Sequence, residues 1–180
     1  VFFQYRYDET LPEFLLIHKR DHVKCLEEFF DVTVITEDCD YQQVCDTYEP
    51  AVTLFESGID NLTCRKPNVT NTRVNPGIPK LALHNADAFS GARAGFLSDM
   101  DHWGIETFFS ICVTTGEHTP EIAGNLFSWP NFIDPEIYRD YGEWKSIPVL
   151  LTGNRISFYP WRQKVFKLAA RHFPALSSPH

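Results

Sequence analysis

The sequence predicts an α/β fold: a doubly wound parallel sheet, then the first strand and helix of a second lobe. Three observations carry this. Apolar runs of strand length alternate with segments of helical period over residues 1–138, which implies parallel strands joined by right-handed crossovers. Val32-Thr33-Val34-Ile35-Thr36 is a compact β-branched run between charges, suited to a strand buried on both faces. Near the end, one α/β unit closes at Asn131–Tyr138, a charged linker spans 139–146, and a new apolar run opens at Ile147.

Taken in order, Val1–Tyr7 is aromatic and β-prone and reads as the first strand. From Glu13 to Phe30, apolar residues Phe14, Leu15, Ile17, Val23, Leu26, Phe29 and Phe30 recur at helical spacing behind Pro12. The Val32–Thr36 strand follows. Asp40–Tyr48 reads as a short helix stopped by Glu49-Pro50, because a residue before proline avoids the α region. Ala51–Phe55 is the third strand. Residues 60–79 are rich in Asn, Thr, Pro and Gly without a period, which predicts a long loop. Lys80–His84 is the fourth strand, Gly91–Trp103 a helix with Ala92, Phe96, Leu97 and Met100 on one face, and Phe108–Val113 the fifth strand. A short helix from Thr119 and a strand at Asn125–Ser128 complete the first domain. Ile147–Leu151 and a helix from Trp161 to Phe173 form the last pair, which by itself cannot cover both faces of its own strand.

Composition narrows the function classes. Apolar residues make up 43% and aromatics 14% of 180 residues, enough for a core. No apolar run reaches the ~18 residues needed to cross a bilayer, so a soluble chain without a transmembrane segment is expected. With 24 carboxylates against 16 Lys and Arg, the formal charge is −8, which opposes general nucleic-acid binding. The amino end lacks the pattern of a signal peptide, and the only methionine is Met100, so a fragment or processed product is expected. Five cysteines at irregular spacing, without a CxxC, read as buried thiols in a reducing, cytoplasmic setting. The sequons at Asn61 and Asn68 shift that only slightly.

Several groups can carry chemistry. Gly153, Arg155 and Arg162 surround a strand-to-helix turn, where glycine admits a phosphate to the backbone and arginine offers a fork of donors. The competing account is an ordinary turn with two solvated arginines. No GxGxxG or GxxxxGK[ST] is present. His84-Asn85-Ala86-Asp87 ends the fourth strand, with Arg93 on the next helix. A histidine oriented by Asp87 suits general-base work on a sugar hydroxyl, against the alternative that these residues only satisfy loop backbone. His18 and His22 share a helical face with Asp21 nearby, but the glutamate of HExxH is missing, so an exposed pair is expected. Asp99, Asp101 and His102 likewise read as a solvated helix end. No metal or cofactor is expected.

The strings Ile147-Pro148-Val149-Leu150-Leu151-Thr152-Gly153 and Tyr159-Pro160-Trp161-Arg162 resemble the start of the second domain in spore-maturation-type (CgeB-like) glycosyltransferases of the GT-B architecture. Asn131-Phe132-Ile133-Asp134-Pro135-Glu136 is similar to the family's acidic signature before the interdomain crossing, and Tyr48–Glu56 to its third strand. The resemblance implies a Rossmann-like acceptor-side domain at 1–138, a linker at 139–146, and a truncated donor-side domain at 147–180. It implies sugar transfer from a nucleotide-diphosphate sugar to a carbohydrate or glycosylated acceptor without a metal. Gly153, Arg155 and Arg162 then face the diphosphate, and His84 or Asp87 serves as base. The alternative is a non-catalytic α/β ligand-binding or receiver-like domain. A receiver wants an aspartate where Glu56 stands, although Asp8-Glu9 partly meets its demand for an acidic pair.

Overall fold

A computed structural model gives the fold, describing residues 1–7, 13–57, 64–84, 92–112, 114–128, 139–142 and 160–172, with backbone alone at 13–19, 92, 93 and 95. The chain divides into two compact units, Val1–Tyr138 and Arg139–His180.

The first unit is α/β and consistent with a Rossmann-like fold. Its elements run β1 (Phe2–Phe3), β2 (Arg6–Tyr7), α1 (Glu13–Glu27), β3 (Val34–Ile35), β4 (Cys39–Asp40), α2 (Tyr41–Tyr48) and β5 (Thr53–Ser57). They continue with β6 (Cys64–Arg65), β7 (Val69–Thr70), β8 (Lys80–His84), α3 (Ala92–Trp103), β9 (Thr107–Ser110), α4 (Thr115–His118) and β10 (Leu126–Ser128). Six strands form one parallel sheet in the order β10-β9-β8-β5-β1-β3. The order reverses beside β1, whose neighbours are β3 on one side and β5 on the other.

Strand alternation sorts the side chains onto two faces. Phe2, Leu54 and Leu83 point one way and pack with Val23 and Leu26 of α1. Phe3, Phe55, Ala82 and Phe108 point the other way, against Tyr41, Val44 and Cys45 of α2 and Phe96 and Trp103 of α3. Rings dominate that second core. Phe55 stacks on Phe3 at 4.6 Å between centroids and lies 4.8 Å from Trp103.

Local signals explain the helix ends. The Asp40 carboxylate accepts from the Gln43 amide at 3.1 Å, capping α2. At its far end Glu49 takes a left-handed conformation, φ 44 and ψ 52, and its N–H donates to the Cys45 carbonyl. Pro50 therefore stops the helix by forcing the preceding residue out of the right-handed α region.

The structure departs from the sequence expectation at five places. The 1–7 strand breaks into β1 and β2, because the chain leaves the sheet after Phe3. Val34–Ile35 borders the sheet among the described residues and is half-buried, not enclosed on both faces. The 60–79 segment contains two short strands: β6 pairs antiparallel with β2, and β7 pairs parallel with β4. The fifth strand stops at Ser110, three residues early. The helix expected from Thr119 is α4 followed by a 3-10 turn at Pro120–Asn125.

In the second unit, α5 (Pro160–His172) matches the expected helix, with Pro160 where its missing N–H costs nothing. Arg162, Gln163, Phe166 and Ala169 are half-buried on one side of α5, and Trp161, Val165 and Leu168 are exposed on another. The strand expected at Ile147–Leu151 and residues 143–146 of the linker lie outside the described residues. No helix among the described residues is long and apolar enough to cross a membrane.

Candidate functional site

Parallel strands deliver their last residues to one edge of the sheet, where ligands of such folds bind. Here that edge is polar and buried. Glu56 and Ser57 close β5, His84 closes β8, and Ser110 closes β9. Ser57, His84 and Ser110 stand in register across three neighbouring strands, so their side chains share the face that α3 covers. Glu56 points to the opposite face, towards α1.

On the α1 side, Glu56 is 1% exposed. Its Oε2 accepts from the Tyr5 amide at 2.9 Å and its Oε1 from the Tyr7 hydroxyl at 2.8 Å. His22 Nδ1 stands 4.0 Å from Oε1, and Gln4, Asp21 and His22 are buried as well. A carboxylate this deep needs such donors, since unpaired burial of its charge is very costly. The β2–β6 pair brings Tyr7 over it and packs Tyr5, Tyr7 and Cys64 together.

On the α3 side, Ser57 Oγ donates to Asp99 Oδ2 at 3.0 Å, and Lys66 forms an ion pair with the same carboxylate. The Lys66 ammonium also lies 5.5 Å from the centroid of Trp103. The His84 ring is 1% exposed and meets Phe96 edge-on at 4.3 Å. Ser110 Oγ and Thr115 Oγ1 share a hydrogen bond of 2.7 Å. This edge can orient a polar ligand, and it places one imidazole beside hydroxyls on both flanking strands.

Burial holds the Tyr5 and Tyr7 hydroxyls well above the ordinary tyrosine range, with the Asp99 and Glu56 carboxylates adding to the rise at Tyr5 and Glu56 at Tyr7. Tyr41, beside Thr53, is pushed from 10.0 to about 12, chiefly by burial. All three hydroxyls stay neutral in the folded state, and that of Tyr7 donates to Glu56. Their raised values favour the proton-bound folded form, so this stability is complete below the unfolded tyrosine value and falls as pH climbs above it. For Tyr41 the loss runs between pH 10.0 and about 12. Alkaline titration followed by phenolate absorbance should show these three ionising together with loss of near-ultraviolet circular dichroism. Smooth ionisation of all seven tyrosines in an intact fold is the contrary result.

Of the residues singled out in the sequence, His84 sits at this edge in the first unit and Arg162 on α5 in the second. Asp87, Gly153 and Arg155 lie outside the described residues, and the side chain of Arg93 is likewise undescribed. Two expectations are corrected. His22 is buried against Glu56, not exposed on a helix face, because α1 turns that face into the sheet edge. Asp99 is buried and engaged by Ser57 and Lys66, while Asp101 remains at the surface near Arg73. Glu56, Tyr7 and Lys66 were not foreseen as site residues, although Glu56 ends a strand just as His84 does. None of the five cysteines is in a disulfide, and no His, Cys, Asp or Glu cluster among the described residues could hold a metal.

A cavity of about 530 Å³ opens at the other end of the strands, lined by Val1, Leu26, Phe30, Val32, Pro50 and Val52 among others. It is mainly apolar and lies at the opposite end of the strands from the polar edge. Comparison with known proteins adds no relative: the chain matches no family model, no curated protein and no solved structure.

Proposed function

We propose that this chain carries the acceptor-side lobe and the opening of the donor-side lobe of a GT-B-type glycosyltransferase. The observation that carries the reading is the polar row at the carboxyl ends of β5, β8 and β9, with His84 in its centre. Helices packed against both side-chain sets of the parallel sheet support a doubly wound lobe. The motifs at Asn131–Glu136 and Ile147–Arg162 supply the family likeness.

In this reaction the acceptor oxygen bonds to the anomeric carbon as the bond from that carbon to the diphosphate oxygen breaks. The acceptor proton passes to His84 or Asp87, and the nucleoside diphosphate leaves with the bonding pair. Gly153, Arg155 and Arg162 oppose the charge that builds on the leaving phosphate. His84 is buried, so its contact with an acceptor requires the groups above it to open.

Calorimetric titration with UDP- and GDP-sugars tests the donor half. Arg155→Ala should weaken binding about tenfold or more, the scale of a hydrogen bond to a charged group. His84→Gln should leave donor affinity unchanged and lower transfer to the acceptor by about 10²–10⁴. Failure of both donor series to bind sinks the proposal.

The strand order also occurs in flavodoxin-like and receiver-like binding domains, and it favours a non-catalytic α/β ligand-binding domain as the second reading. A receiver in particular is opposed by Glu56, which is enclosed by two tyrosines where an accessible aspartate is needed.

A further inference from the structure

The outward side of α5 has a composition unlike the rest of the chain. Within Pro160–His172 stand four of the sixteen Lys and Arg and none of the 24 carboxylates, in a protein whose formal charge is −8. Trp161, Val165 and Leu168 recur at i, i+4 and i+7 and are 74%, 44% and 53% exposed. Lys164, Lys167 and Arg171 form an exposed strip along the same side. The two strips are adjacent, since the Lys164 ammonium lies 5.7 Å from the centroid of the Trp161 ring. The half-buried residues Arg162, Phe166 and Ala169 lie on another side of α5, so the ribbon is distinct from the least exposed side of the helix.

We propose that this ribbon docks on an anionic bilayer surface, with α5 lying in the headgroup plane. An apolar strip flanked by cations, with an indole at the boundary, matches a surface that offers hydrocarbon below and phosphate above. Charge complementarity selects anionic lipid over neutral lipid, because each cation near such a surface adds attraction. A soluble polyanion would satisfy the cations and leave the apolar strip in water. The proposal does not depend on the transferase reading.

Flotation of the whole chain with phosphatidylcholine vesicles, with and without phosphatidylglycerol, tests it. Binding is expected only with phosphatidylglycerol and should fade as salt screens the cations. Charge reversal by Lys164→Glu, Lys167→Glu and Arg171→Glu should abolish flotation. Trp161→Ser with Leu168→Ser should weaken it at least about tenfold while every charge remains, since apolar burial is lost. These residues are exposed, and circular dichroism checks that each variant keeps its fold. Equal flotation with neutral vesicles, no flotation, or indifference to both variants overturns the proposal. So does self-association in lipid-free buffer that the Trp161 and Leu168 changes remove, because the ribbon is then a contact between copies.

Discussion

Replacing Phe55 with alanine should destabilise the first unit by about 3–5 kcal/mol, the usual cost of deleting a buried phenyl ring. Phe55 has 0% exposure and lies among three rings: Phe3 at 4.6 Å, Trp103 at 4.8 Å and Tyr41 at 6.2 Å. Those rings come from β1, α3 and α2, so no single element can move to close the hole. The sheet fixes Phe3, and the two helices are held by separate contacts, Tyr41 to Thr53 and Asp99 to Ser57. Since domains are stable by only about 5–15 kcal/mol, this one change should remove about a fifth of the total or more. Phe55→Leu refills part of the volume and should cost clearly less. Urea unfolding measures both. If Phe55→Ala moves the midpoint by less than about 1 kcal/mol equivalent, the core can collapse and the aromatic stack is not the keystone described.

Much of this fold could be read from local pattern. Lys80–His84 was legible because the apolar Leu81-Ala82-Leu83 is bracketed by Pro79-Lys80 and His84, which leaves little freedom in its bounds. α2 was legible from Asp40 and from Glu49-Pro50, a cap and a stop that act within a few residues. The edge position of Val34–Ile35 was not legible. A β-branched run says that a strand is half or wholly enclosed, while strand order decides which, and order is set by crossovers among distant segments. The pairs β2–β6 and β4–β7 escaped for a related reason: two residues have no period, and each partner lies some thirty to sixty positions away.

The polar edge was half legible. His84 stood out because histidine ends an apolar strand, and Glu56 gives the same signal on β5. What the sequence hides is the answering set. Tyr7 reaches Glu56 only because the chain turns back after β1 to pair with β6. Asp99 and His22 looked solvated on helices whose facing side could not be fixed by weak amphipathic patterns alone. The contacts show both turned inward, one to each face of the sheet edge.

Glu56→Ala should rival the Phe55 change, costing about 2–5 kcal/mol, because it strands two buried donors that each lose a charge-assisted bond. The Tyr5 amide and the Tyr7 hydroxyl both point at this carboxylate, at 2.9 and 2.8 Å, in a buried setting. Glu56→Gln keeps one acceptor oxygen, so it should fall between wild type and alanine. The sharper readout is local. Hydrogen exchange at the Tyr5 amide should accelerate in Glu56→Ala beyond the change in global stability, since its acceptor is gone. A double-mutant cycle with Tyr7→Phe separates the two bonds: that substitution should cost about 1.5–3 kcal/mol alone and much less beside Glu56→Gln, giving coupling of roughly 1 kcal/mol. Strict additivity would mean that Tyr7 is held by its packing with Tyr5 and Cys64, and that Glu56 anchors the strand end through the Tyr5 amide alone.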